Sequence, residues 1–144
     1  MIAIDRDEKM LEKGKELLSK HHKYIEFVRD TYSNIDGILA KEIIQKADYI
    51  LLDLGVNMEH FKDPERGFSF LHDAPLDMRF DQSSGQTAAM VVNTYSREKL
   101  AKMFTTYGDF APTSGLYMAD ALIEKRSEGH ILTTHELNDT LRKK

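Results

Sequence analysis

The sequence predicts an α/β fold that gives way to helices. Two observations carry this. From Met1 to Asp53, short apolar runs alternate with amphipathic, charge-rich runs in the β-α-β-α-β order of a parallel sheet. Beyond about residue 85, apolar residues recur only at helical spacing.

Met1 to Asp5 reads as a short buried strand ending in an acid, and Asp7 can cap the helix that follows. Met10, Leu11, Leu17 and Leu18 lie on one side of that helix, while Glu8, Glu12, Lys15 and Glu16 mark its solvated face. It should end near His21 and His22. Tyr24 to Val28, with aromatic and β-branched residues, is a second strand, and Asp30 to Asn34 a turn. Ile35 to Lys46 reads as a second helix with Ile35, Ile38, Leu39, Ile43 and Ile44 inward. Asp48 to Asp53 is a third strand, apolar through Tyr49, Ile50, Leu51 and Leu52, as a strand covered on both faces should be. Leu54 to about Gly85 has no clear period, and so long a segment inside a compact domain is either functional or mobile. Gln86 to Thr94 is a helix. Ser96 caps another, with Leu100, Met103 and Phe104 on its apolar side. Leu116 to Lys125 is a third, and Thr133 with Glu136 forms a capping box for a last one, Glu136 to Leu141. The domain reading is an α/β core over residues 1–85, including the aperiodic segment 54–85, and a helical part over 86–144.

Composition narrows the function. With 144 residues, 41% hydrophobic and 31% charged, the chain suits one compact domain or a domain plus a small lobe, with a real core and a soluble surface. Its apolar runs fall far short of the roughly 20 residues that span a bilayer, and the N-terminus shows no secretory signal. The absence of cysteine excludes disulfides, thiolate zinc sites and thiol nucleophiles, and fits a reducing cytoplasm. His60, His72, His130 and His135 lack metal-ligand spacing, so no metal site is expected. A formal net charge of −4 argues against binding nucleic acid mainly by neutralising phosphates; an RNA substrate would need local basic patches or parts supplied elsewhere.

Asp5 and Asp53 close predicted parallel strands, and ligands of open α/β sheets bind just beyond such ends. An acid there can accept hydrogen bonds from both ribose hydroxyls, or, with Asp7, merely cap a helix. The run Glu65-Arg66-Gly67-Phe68-Ser69-Phe70-Leu71-His72-Asp73-Ala74-Pro75-Leu76-Asp77-Met78-Arg79-Phe80-Asp81 is far more specific. It resembles the signature loop of the bacterial small-subunit ribosomal RNA cytosine-N(4) methyltransferases, departing at Ala74, where that family has glycine, and at Phe80, where it has methionine. Residues 3–7 and 50–56 are similar to the family's second- and fourth-strand motifs. Thr87-Ala88-Ala89, Tyr107-Gly108 and residues 119–124 and 134–137 fit the start of its inserted helical domain.

The resemblance implies a partial Rossmann-like class I methyltransferase sheet followed by part of an all-helical insert. It implies S-adenosylmethionine as cofactor and the exocyclic amine of a cytosine in small-subunit ribosomal RNA as target. Asp5 would bind the cofactor ribose and Tyr32 would lie beside the adenine. Asp53 would sit near the adenosine and the reacting centre, and His60 stands where the family has a cofactor-contacting glutamine. Asn57-Met58-Glu59 replaces a Ser-Ser-Pro run. Asp77 and Arg79 are candidates for gripping the base edge or a phosphate, with Arg66 beside them, and Phe68 and Phe70 for stacking on a splayed-out base. Plainer roles stand beside these: one phenylalanine plugging the core, Arg66 and Arg79 bracing the loop against Glu65, Asp73 or Asp77, and Tyr95 and Tyr107 packing between helices. Asp109 to Gly115 occupies the place of a basic stretch in the family, which weakens the case for RNA contact.

The family's Gly-rich loop, where only glycine lets the backbone approach the cofactor's methionine end, has no counterpart, for the chain contains no G-x-G. By resemblance the strand before that loop lies between Met1–Asp5 and Tyr49–Asp53. Two strands without the one between them expose unpaired backbone groups. A rearranged sheet, a homo-oligomer or a complementing fragment is therefore expected. The alternative is a non-catalytic, truncated or degenerate relative acting as a binding module.

Overall fold

The structure, a computed structural model, describes residues 1–42 and 44–142. They form two compact units, Met1–Gly55 and Val56–Lys144.

The first unit is mixed α/β. Strands β1 (Ile2–Asp5) and β2 (Glu26–Arg29) pair in parallel, in register from Ile2 with Glu26 to Asp5 with Arg29. Helix α1 (Glu8–Leu17) joins them. Its cap is the expected one: the buried Asp7 carboxylate accepts the Lys9 amide at 3.0 Å. The helix stops at Leu17 rather than near His21, and Ser19–Tyr24 tightens into a 3-10 turn. Ser19-Lys20-His21-His22-Lys23 offers no apolar residue to a core, so nothing holds a further α turn down. Helix α2 (Ile35–Lys41) buries Ile38 but ends five residues before Lys46. Ile44 is exposed rather than inward, and Ile43 lies outside the described residues.

The expected third strand does not form. The sheet of the described residues has two strands, and Tyr49 and Leu51 are 96% and 91% exposed. An extended segment becomes a strand only when a neighbour takes up its amides and carbonyls. No described strand pairs with this one, so apolar composition alone leaves it in water.

The second unit is helical. Helix α3 (Met58–Lys62) precedes α4 (Ala88–Thr94), α5 (Arg97–Tyr107), α6 (Pro112–Glu128) and α7 (Thr134–Arg142). Leu100, Ala119, Leu122 and Ile131 are wholly buried, joined by Leu76, Val92 and Ala101. Fully burying a leucine side chain stabilises by about 1.5–3 kcal/mol. Gly115 lets α6 close on α5, since a Cβ there would lie 2.8 Å from Thr105 Cγ2 and 3.0 Å from the Ala101 carbonyl. Arg97 pairs with Asp120 across the two helices.

The caps follow the sequence reading. Ser96 Oγ accepts the Lys99 amide, and the Thr133–Glu136 box closes both ways, Thr133 Oγ1 accepting from Glu136 and Glu136 Oε2 from Thr133. Helix α6 is longer than expected because Pro112, pre-set for a first turn, starts it early. Two polar residues hold the C-terminal part of α4. Asn93 donates to the Ala89 and Ile131 carbonyls and accepts the Ile131 amide, and Arg126 donates to the Val92 and Tyr95 carbonyls. Tyr95 packs against the core as expected, whereas Tyr107 is exposed rather than wedged between helices. The change of sequence character near residue 85 and the division between units at 55/56 are different boundaries. The segment between them is ordered by hydrogen bonds to α4 and to residues 132–134. No helix of the described residues is long and apolar enough to cross a membrane.

Candidate functional site

In the first unit, Asp5 ends β1. Its carboxylate accepts the Asp7 amide at 2.8 Å, and its carbonyl accepts the Asp30 amide at 3.2 Å. Asp5 thus orders the turn into α1, the plainer role, and still presents an exposed carboxylate at the strand tip. Beyond β2, Asp30 accepts the Thr31 amide and the Asn34 side chain, and these bonds, Asn34's foremost, hold its carboxyl below the usual carboxylate range. The turn they build, Tyr32–Asn34, carries an exposed Tyr32. Because Asp5 and Arg29 are register partners, Asp5 and this turn share the carboxyl end of the two-stranded sheet. Asp53 does not join them on a neighbouring strand tip. It is exposed, in the stretch that forms no strand.

The second unit holds the signature segment, and it is tightly built. Asn57 caps α3 by accepting the Glu59 and His60 amides, while its own amide donates to His60 Nδ1 at 3.0 Å. His60 is 4% exposed, its ring 5.3 Å from Phe68 and 5.1 Å from Phe80, with those phenylalanines 5.5 Å apart. His60 is therefore engaged as cap and core. The Asn57–His60 spacing, three residues apart before a short helix, is a capping-box signal that the sequence reading passed over. Phe80, where the family has methionine, supplies the cluster's third ring.

Gly67 follows the 3-10 turn Pro64–Arg66 with φ of 68°. There the loop doubles back, and the Met78 amide donates to the Arg66 carbonyl at 2.9 Å. Arg66 is buried, with Nη2 donating to the carbonyls of Arg79 (3.2 Å) and Phe80 (2.9 Å). Asp77 and Arg79 form a fork: Asp77 Oδ1 accepts Arg79 N and Nε, and Oδ2 accepts Nη2 at 2.7 Å. Both arginines thus brace the loop, Arg79 against the expected Asp77 and Arg66 against backbone carbonyls. Phe68 plugs the aromatic cluster, whereas Phe70 is 60% exposed.

The Arg79 side-chain hydrogen bonds hold the Asp77 carboxyl below the usual carboxylate range, with burial opposing them. Asp77 is therefore a carboxylate at neutral pH, an acceptor and not an acid. A depressed folded-state pKa contributes stability that is present above the unfolded-state value, about 3.9, and lost as pH falls through the folded value. Wild type should thus exceed Arg79→Met in urea stability at pH 7, and the gap should shrink below about pH 4. An equal gap at pH 7 and pH 3 would show that the fork contributes nothing through Asp77 ionisation.

The chain matches the MraW methylase family over residues 1–144. It is similar to proteins named ribosomal RNA small subunit methyltransferase H. That of Clostridium botulinum (strain Loch Maree / Type A3) is 38% identical over 143 residues, 99% of this chain and 45% of the relative. That of Caldicellulosiruptor saccharolyticus is 40% identical over 141 residues, 98% of this chain and 45% of the relative. That of Thermobifida fusca is 36% identical over 144 residues, 99% of this chain and 42% of the relative. The chain spans less than half the length of these curated relatives. Matched from end to end, signature segment included, it belongs to the MraW methylase family.

Proposed function

We propose that this chain supplies part of an enzyme that moves a methyl group from S-adenosylmethionine to the exocyclic amine of a cytosine in small-subunit ribosomal RNA, in the cytoplasm. The observation that carries the reading is the signature segment, residues 65–81, which resembles the family's loop apart from Ala74 and Phe80 and is folded into a braced loop. Residues 1–85 are then part of a Rossmann-like class I methyltransferase core with its loop, and 86–144 part of the substrate-side helical domain.

The residues present fit one end of the cofactor. The exposed carboxylate of Asp5 and the exposed ring of Tyr32 stand at one sheet end, suited to ribose hydroxyls and an adenine face. Nothing in the chain matches the Gly-rich loop that would take the methionine end. Bound S-adenosylmethionine supplies an electrophilic methyl on a sulfonium. The chain's own residues orient the other reactant and handle its proton. Asp77, ionised and fixed by Arg79, accepts from a cytosine amine, which is a donor. Phe70 stacks on the splayed-out base at about 1–3 kcal/mol. Asp53, in residues 1–55, is by the family resemblance the acid near the reacting centre and the residue suited to take up a proton. Arg66, Phe68 and His60 keep the loop in shape.

The exposed apolar stretch Tyr49–Leu54 supports a partner that lends it a strand. A polypeptide carrying the remainder of a full-length relative is the reading we favour over a second copy of this chain. The two should be mixed and methyl transfer to small-subunit RNA measured. Transfer is expected only in the mixture, falling about a hundredfold or more with Asp53→Asn. An inert mixture, beside an active full-length relative, would instead leave a non-catalytic binding module.

A further inference from the structure

We propose that Thr134, the first residue of α7, is a positioning residue that sets the signature segment for its substrate, a role that rests on the function proposed above. The observation is a contact spanning some sixty residues of chain. Thr134 is 5% exposed, and its hydroxyl works in both directions: Oγ1 donates to the His72 carbonyl at 2.9 Å and accepts the Ala74 amide at 3.2 Å. Its backbone amide donates to the Ala74 carbonyl at 2.9 Å. Next to it, the Leu76 amide donates to the Leu132 carbonyl at 2.9 Å, and Pro75 and Thr133 form an antiparallel bridge.

The far side of the same stretch is held from α4. The Ala88 amide donates to the Asp77 carbonyl at 2.7 Å and the Ala89 amide to the Leu76 carbonyl at 2.8 Å. The backbone leading into the Asp77–Arg79 fork is therefore clamped between the start of α7 and the start of α4. His135 extends the clamp toward the exposed Phe70, its amide donating to Asp73 Oδ1 at 3.3 Å and its Nε2 lying 3.1 Å from the Phe70 carbonyl. Half of these bonds are backbone to backbone and indifferent to side-chain identity. The Thr134 hydroxyl is the side-chain group that both gives and receives at the segment's buried end.

Valine has threonine's shape without the hydroxyl. In Thr134→Val the Ala74 amide loses its acceptor in a buried place and the His72 carbonyl loses its donor. The helical core does not use that hydroxyl, so the damage should stay in the loop. Serine keeps the hydroxyl and should restore it. Thr134→Ala removes the hydroxyl with less bulk and gives a second arm should the valine variant fold poorly.

Two readouts on the whole chain test this. Amide hydrogen exchange follows Ala74 and Leu76 in the loop and Leu100 and Leu122 in the core. Affinity is measured for a small-subunit ribosomal RNA fragment with an unpaired cytosine. Thr134→Val and Thr134→Ala should speed exchange at Ala74 by roughly tenfold or more and weaken RNA binding by roughly tenfold, with the core amides unchanged. Thr134→Ser should stay within about threefold of wild type in both, having kept the hydroxyl. Unchanged exchange at Ala74, equal acceleration at Leu100 and Leu122, or a serine variant as damaged as valine would each overturn the proposal. If wild type does not bind the RNA, the functional reading falls, and the exchange pattern alone decides whether Thr134 holds the segment.

Discussion

Gly67→Ala should cost the chain roughly 2–5 kcal/mol of stability, the sum of a left-handed backbone and a collision with fixed atoms. At φ of 68° an L side chain is already strained, and the added Cβ would lie 2.4 Å from the Pro75 carbonyl oxygen and 2.8 Å from the Asp77 amide. Both are backbone atoms, and both belong to the stretch clamped by α4 and residues 132–134, so neither can swing aside. Gly85 is the control. Its φ is 81°, but nothing lies within 4 Å of a Cβ there, so Gly85→Ala should cost only the conformational part, about 1 kcal/mol. Urea melts of the two variants separate the terms. Equal small losses would mean that the loop is not packed on itself at Gly67.

The same collision bears on function. Gly67 is where the signature segment turns back so that the Arg66 carbonyl meets the Met78 amide and the Arg66 side chain reaches the Arg79 and Phe80 carbonyls. A chain that moved Pro75 or Asp77 to admit a methyl group would shift the Asp77–Arg79 fork with it.

Much of the architecture was legible because it is written locally. Asp7, Ser96 and the Thr133–Glu136 box each declare a helix start through a side chain and an amide two or three residues away, and the structure keeps all of them. The α1–β1–β2 arrangement follows from short-range alternation in the same way. What failed was non-local. Tyr49 to Leu52 has the composition of a buried strand, but a strand exists only with a neighbour, and none of the described residues provides one. The end of α2 differs for a related reason, since an isoleucine at 44 signals burial only if something covers it.

The candidate site divides along the same line. The plainer reading of the signature segment has Arg79 bracing the loop against Glu65, Asp73 or Asp77, and the structure joins it to Asp77 in one fork. It could not show that Arg66 turns inward to carbonyls, that the His60 ring packs on Phe68 and Phe80, or that Thr134 reaches across from α7. Those contacts depend on chain reversals at Gly67 and between α6 and α7, which no short window of sequence contains.

If the strand tips of residues 1–55 hold the adenosine end of the methyl donor and nothing in the chain holds its methionine end, adenosine alone should bind about as well as S-adenosylmethionine. A ligand of adenosine's size points to a dissociation constant on the order of 0.1–1 mM. Asp5→Ala should weaken both ligands by roughly tenfold or more, because a carboxylate accepting from two hydroxyls makes strong charge-assisted bonds. An NMR titration that follows the Asp7 and Tyr32 amides, present in both proteins, in wild type and in Asp5→Ala makes the measurement directly. Matched affinities for the two ligands, both lost in the variant, are the predicted result. No saturable shift at about 10 mM adenosine, or S-adenosylmethionine binding untouched by Asp5→Ala, would contradict it.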